Sequence, residues 1–154
     1  PSDQDLGGLV QRPRYQKVYL VKTGSSIENI ILPITSKGLW STMKGFLALG
    51  GDTKTVKGMG YYSHGETPGL GGEVDNPKWK KQWQGKLVYD QAWKPAIELA
   101  KSVSDNPDKA QYQVDALSGA TITGNGVQSS ARYWLSSHGY GDFLANIRSG
   151  TFNF

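Results

Sequence analysis

The chain contains no cysteine. That excludes disulfides, iron–sulfur clusters and cysteine-ligated zinc on these residues, and leaves the compartment open. Histidine is nearly absent too: His64 and His138 lie far apart in sequence and offer no metal-ligand spacing. Long apolar runs are missing, since no stretch approaches the ~18 residues a membrane-spanning helix needs. No secretory signal is visible at the N-terminus, and there are neither internal repeats nor low-complexity segments. A strong charge bias is lacking as well. Lysine and arginine outnumber acidic residues by 17 to 13, a net charge of +4. The densest basic spot, Lys80-Lys81, is too short for a nucleic-acid stripe. Five tryptophans and eight tyrosines are present, but they do not interleave with lysines as in a single-strand binder. No nucleic-acid partner, no metal site and no catalytic residue set are expected.

What is present points to one globular domain. At 154 residues the chain can bury a real core. Hydrophobic residues make up 37% and charged residues 19%, and twenty glycines indicate many tight loops. Residues 1–14 are polar and read as a lead-in segment. Gln16–Lys22 and the β-branched Ile27–Ile34 read as strands around a Thr23–Ser26 turn. Leu39–Leu49 fits helix and strand periods about equally. Thr55–Ser63 reads as a strand. Pro77–Trp83 reads as a short helix with Asn76 as cap and Pro77 in the first turn. Lys86–Tyr89 suggests a brief strand, and Ala96–Ser102 is ambiguous. Thr123–Ser137 places Val127, Ala131, Trp134 and Leu135 at helical spacing, with Gly139 as a stop and a last helical turn within Tyr140–Ile147. The pattern is α+β, a mostly antiparallel sheet with flanking helices, without regular βαβ alternation.

The most informative stretch is Asp115-Ala116-Leu117-Ser118-Gly119-Ala120-Thr121. Small residues at Ser118, Gly119 and Ala120 allow a bulky group close to the backbone. Hydroxyls flank them at Ser118, Thr121 and Thr123. A helix starting just beyond would aim unpaired N–H groups and partial positive charge at this loop, which suits a phosphate. A second stretch, Ser63–Val74, contains Glu66-Thr67-Pro68-Gly69-Leu70-Gly71-Gly72. Pro68 fixes φ and Gly69 accepts φ > 0, so this reads as a defined turn, and Gly71-Gly72 leaves room for a flat ring. Gly124-Asn125-Gly126 mimics a dinucleotide fingerprint, but it lacks the third glycine and a long buried strand before it.

These blocks, with Gly38-Leu39-Trp40-Ser41 and Asn76-Pro77-x-Trp79…Gln82-Trp83…Gly85-Lys86, occur in an order that resembles the C subunit of the sodium-translocating NADH:quinone oxidoreductase. The resemblance covers roughly residues 15–150. The G subunit of the related Rnf electron-transport complex is the alternative, sharing the Glu-Thr-Pro-Gly and Gly-Ala-Thr blocks. The resemblance implies a covalent-FMN-binding domain over 15–154, with FMN held as a phosphoester on Thr121. It implies that a separate flavin transferase installs the group and that Asp115 is part of what that transferase recognises. Thr67, Leu70 and Trp40 are the expected ring contacts. Glu66 is expected to accept hydrogen bonds from the ring, the ribityl chain or loop N–H groups, and Lys86 to supply a cation near flavin or phosphate. Partners would be the other subunits of a membrane redox complex, with the domain on the periplasmic side of the bacterial inner membrane. The start at Pro1, without methionine, reads as a processed or shortened piece, and the resemblance implies a membrane helix upstream. The expected role is an electron carrier without its own NADH or quinone chemistry. A non-redox assembly module with an unused motif is the reading from another class.

Overall fold

A computed structural model describes residues 14–151. The lead-in expected over 1–14 lies outside the described residues except for Arg14, as do the last three residues of the expected 15–154 domain. Four strands form an antiparallel meander: β1 (Tyr19–Thr23), β2 (Ser26–Lys37), β3 (Thr42–Gly50) and β4 (Val56–Ser63). The β2–β3 ladder runs unbroken from Asn29↔Gly50 to Lys37↔Thr42. The run that fits both periods therefore divides. Leu39 and Trp40 belong to the hairpin connection, and alternation from Met43 onward makes a strand, because only period two puts Met43, Leu47 and Leu49 on one face.

Those three side chains join Ile30, Leu32 and Ile34 of β2 and Val56, Met59 and Tyr61 of β4 in the core. Helix α3 (Thr121–Leu135) lies across this face and buries Val127, Ala131, Trp134 and Leu135, the residues at helical spacing in the sequence. Burying large apolar side chains of this kind contributes about 1.5–3 kcal/mol each. The Trp134 indole N–H donates to the Thr35 carbonyl at 2.9 Å. Ser36, Tyr61 and Ser130 form a buried hydroxyl chain between sheet and helix, and burial pushes the Tyr61 phenol up to about 12. Gly126 lets α3 approach the end of β2, since a side chain there would collide with the Lys37 carbonyl. That contact, rather than a dinucleotide, accounts for the glycine.

Helix α1 (Pro77–Gln82) is capped as expected, the Asn76 side chain accepting from the Lys78 N–H. The strand expected at Lys86–Tyr89 does not form. It makes single bridges, Thr55↔Leu87 and Tyr89↔Pro95, and Pro95 has no N–H with which to extend a ladder. β5 (Glu98–Ala100) and β6 (Gln113–Asp115) pair in parallel, with the short α2 (Pro107–Ala110) between them. α3 ends at Leu135, before the expected stop, and Gly139 instead packs against the Trp134 backbone. α4 (Gly141–Arg148) follows. Among the described residues no helix is long and apolar enough to cross a membrane.

Candidate functional site

Three loops meet at one end of the sheet. The ladder dictates this: the end of β2 pairs with the start of β3 at Lys37↔Thr42, and the end of β4 joins the same corner at Lys44↔Ser63. The β2–β3 connection is closed by Gly38 N–H donating to the Ser41 carbonyl at 2.8 Å, and Leu39 and Trp40 project from its tip. Trp40 is 71% exposed, which rules out the usual core role of a lone tryptophan. After β4, Thr67–Leu70 forms the expected turn. Leu70 N–H donates to the Thr67 carbonyl at 3.1 Å and Gly69 has φ 78°. A short 3₁₀ segment, Gly71–Asp75, continues from it.

The third loop is Ala116–Ala120. Gly119 has φ 68°, and a Cβ built on it would lie 3.2 Å from Leu70 Cδ2, so this loop packs on the previous one. α3 starts at Thr121, two residues earlier than expected. Ala120 stands at the N-cap and no side chain caps this end, so neither Thr121 nor Thr123 takes the capping role. The first turn therefore keeps its partial positive charge beside Thr121, which is exposed.

Between the loops lies a cleft of about 390 Å³. Leu39 and Trp40, then Glu66, Thr67, Leu70 and Gly71, and finally residues 119–123 line it. Leu39, Trp40, Leu70 and Ile122 are all more than 40% exposed and give it an apolar rim. A larger hollow of about 690 Å³ lies on the outer face of the sheet, lined mainly by Tyr19, Ile31, Phe46, Gly58, Gly60 and Tyr62. Size would favour the outer hollow, but its described lining offers only tyrosine hydroxyls among apolar side chains, whereas the smaller cleft joins a carboxylate, threonines and a helix start, so the cleft is the candidate site.

Glu66 sits buried at the back of the cleft. Its Oε1 accepts from Leu39 N–H at 2.7 Å and Thr123 Oγ1 at 2.7 Å. Its Oε2 accepts from Trp40 N–H at 3.1 Å and Ser41 Oγ at 2.7 Å. Burial by itself would raise its pKa, but these bonds to the ionised form outweigh it and hold the carboxyl below its ordinary value. The Glu66 N–H donates to His64 Nδ1 at 3.1 Å, while His64 Nε2 meets Asp75 Oδ2 at 2.6 Å.

The cleft thus gathers Trp40, Glu66, Thr67, Leu70, Gly71, Gly119, Ala120, Thr121 and Thr123 from the sequence expectations. Thr123 is buried and spent on Glu66. The space beside Gly71 is taken by Thr123 Oγ1 and Glu66, which corrects the expectation of room for a flat ring there. Gly69 and Ser118 are exposed and do not line the cleft. Asp115 ends β6, where Gln82 holds both its N–H (2.9 Å) and its Oδ2 (3.1 Å), and Trp79 Nε1 donates to its carbonyl at 2.8 Å. Lys86 is a correction: its Nζ donates to the Ala110 carbonyl, and its own carbonyl pairs with Val56 at the far end of β4, about 25 Å of strand from the cleft. Sequence reasoning does not single out Ser41, Ile122, His64, Trp79 or Gln82 as site residues. Ser41 lies inside one matching block, and Trp79 and Gln82 inside another, but nothing in spacing ties them to Glu66 or Asp115. Among the described residues no group of three metal-ligating side chains occurs.

A family model described as "FMN-binding domain" matches residues 38–136, the span that includes all three loops. The chain is 51% identical to the C subunit of the Na(+)-translocating NADH-quinone reductase of Pseudomonas aeruginosa, over 97% of this chain and 58% of that protein. It is 48% identical to the protein of the same name from Yersinia pestis, over 96% of this chain and 55% of that one. The chain thus spans somewhat more than half the length of these curated relatives. The crystal structure of Shewanella oneidensis NqrC superposes with a TM-score of 0.86 at 36% identity, covering 94% of this chain and 66% of that one. The crystal structure of the C subunit of the Na(+)-translocating NADH-quinone reductase from Parabacteroides distasonis gives 0.71 at 28% identity, covering 82% and 61%.

Proposed function

This chain belongs to the FMN-binding domain family, and on that premise we propose that it carries FMN through a phosphoester on Thr121 as a one-cofactor electron relay. One observation carries the reading: an exposed threonine stands first in an uncapped fifteen-residue helix and opens on an apolar-rimmed cleft. The residues fit the group. Thr121 offers the ester oxygen, and the helix start offers partial positive charge for a phosphate. Trp40, Leu70, Leu39 and Ile122 offer apolar surface for a flat ring and exclude water from it. The Thr67 hydroxyl is available to hydrogen-bond a polar edge. Bound flavin supplies the redox chemistry; the chain supplies position and surroundings.

A threonine hydroxyl needs activation to react. Among the described residues Glu66 is the one carboxylate lining the cleft, and its oxygens are occupied by four protein donors. Attachment therefore requires a separate flavin transferase, with Asp115 at the start of the recognised loop. We place the 15–154 domain beside the other subunits of a Na(+)-translocating NADH-quinone reductase, on the periplasmic side of the bacterial inner membrane and joined to it by a helix outside this sequence. The names of the relatives support the C subunit over the Rnf alternative. The test is intact mass after co-expression with a flavin transferase. One FMN-sized increment, lost in Thr121→Ala, is expected; an increment that survives Thr121→Ala sinks the assignment.

A further inference from the structure

We propose that Glu66 is a positioning residue that clamps the Trp40 hairpin to the first turn of α3, and so sets the distance between the aromatic platform and Thr121. The proposal rests on the FMN reading of the cleft but makes a claim of its own: Glu66 acts through Trp40 and does not touch the ring. One oxygen bridges Leu39 N–H to the Thr123 hydroxyl, and the other bridges Trp40 N–H to the Ser41 hydroxyl. Hairpin and helix are far apart in sequence, and this carboxylate fastens one to the other. Space around it is reserved. A Cβ at Gly38 would overlap the Glu66 carboxyl, and one at Gly71 would lie 2.7 Å from Thr123 Oγ1 and 3.1 Å from Glu66 Cβ. Glu66 is itself held from behind, its N–H bonded to His64 Nδ1. A Trp40 that is 71% exposed has little packing of its own to fix it. Its backbone is fixed by the hairpin bond at Gly38 and by this carboxylate.

The chemistry of the four donors makes the test specific. In Glu66→Gln the side-chain NH₂ faces one pair of donors. A serine or threonine hydroxyl can turn to accept from it, but a backbone N–H cannot. The variant therefore leaves Leu39 or Trp40 N–H without its partner. Losing a hydrogen bond to a charged acceptor should speed amide exchange at that position about tenfold or more, measured on the chain without flavin. In protein loaded with FMN, the ester should remain while flavin emission rises, because the ring is less well held against Trp40. In a Trp40→Ala background, Glu66→Gln should add no further rise. Thr123→Val should act in the same direction, and Thr123→Ser should restore the wild-type values. Thr123→Val carries the test should Glu66→Gln fail to fold.

Unchanged exchange at both Leu39 and Trp40 would overturn the clamp. So would a Glu66→Gln effect on flavin emission that persists undiminished in Trp40→Ala, since that places Glu66 on the ring itself. Failure of the FMN reading looks different: no flavin is carried, or Trp40→Ala leaves its emission unaltered. The exchange measurement still decides the clamp in that event.

Discussion

Two threonines of identical chemistry stand two residues apart at the start of α3, and burial alone divides their roles. Thr121 is exposed at the first helical position, while Thr123 is 2% exposed and donates to Glu66. Thr121→Ala should abolish covalent flavin, seen as loss of the ultraviolet-fluorescent band in denaturing gels, with stability changed by no more than about 0.5 kcal/mol. Thr123→Ala should keep the band and cost about 1–3 kcal/mol, because it leaves a buried carboxylate short of one donor. A band that vanishes in Thr123→Ala and survives in Thr121→Ala would reverse the assignment. Glu66 supplies the second prediction. Its folded pKa lies below the ordinary 4.5. Its contribution is therefore fully present above that value and is lost as pH falls through the folded pKa. The melting temperature of Glu66→Gln should fall less steeply below about pH 4.5 than that of wild type. Asp52 is also held below its ordinary value, because bonds from Thr55 and Lys54 outweigh the opposing effect of its partial burial, so Asp52→Asn is the needed control. Equal slopes in wild type and Glu66→Gln would show that the carboxylate contributes nothing to acid sensitivity.

At the level of elements, local pattern is informative wherever one face is buried. β2 alternates because α3 covers one side of it, and α3 shows its apolar stripe for the same reason. The Asn76-Pro77 start of α1 is legible because capping is local chemistry. α2 and the 3₁₀ segment at Gly71–Asp75 escape, being too short to show a period. Lys86 is misplaced by sequence reasoning because its neighbours in space, Val56 and Ala110, come from segments that no local pattern connects to it. The role of α1 escapes for the same reason. Its Gln82 and Trp79 reach β6 and hold Asp115 by three hydrogen bonds. The Asp115 carboxylate is exposed and, among the described residues, is held by Gln82, so Asp115→Ala should cost under about 1 kcal/mol of stability while lowering flavin loading. Gln82→Ala should lower loading to a similar extent if the transferase needs Asp115 held in this orientation. Normal loading in both variants, with a large fall in melting temperature, would make Asp115 and Gln82 a structural brace alone.

At the scale of the whole molecule, the cleft and the outer sheet face are two apolar surfaces of the described residues with different chemistry. The cleft joins its apolar rim to a hydroxyl, an uncapped helix start and a saturated carboxylate. Among the described residues, the lining of the outer sheet face has tyrosine hydroxyls but no helix start and no carboxylate. An antiparallel sheet covered on one side commonly turns polar residues outward. Here the outward positions of neighbouring strands include Tyr19, Ile31, Phe46, Ala48 and Tyr62, with Gly58 and Gly60 leaving a groove between them. Phe46 and Tyr62 pack with ring centroids 5.4 Å apart and planes tilted by 36°, while remaining 38% and 66% exposed. Exposed apolar area of this kind drives association when nothing covers it. The isolated chain should therefore self-associate as concentration rises and should bind a hydrophobic dye. Phe46→Thr with Tyr62→Thr should reduce both, read by light scattering and dye fluorescence. Both positions are β-compatible and point away from the core, so the melting temperature should move little. The substitutions lie on the face opposite α3, so flavin loading at Thr121 should not change. If scattering and dye binding stay the same in the double variant, the stickiness arises elsewhere, and the apolar rim of the cleft at Leu39, Trp40, Leu70 and Ile122 is the surface to alter next.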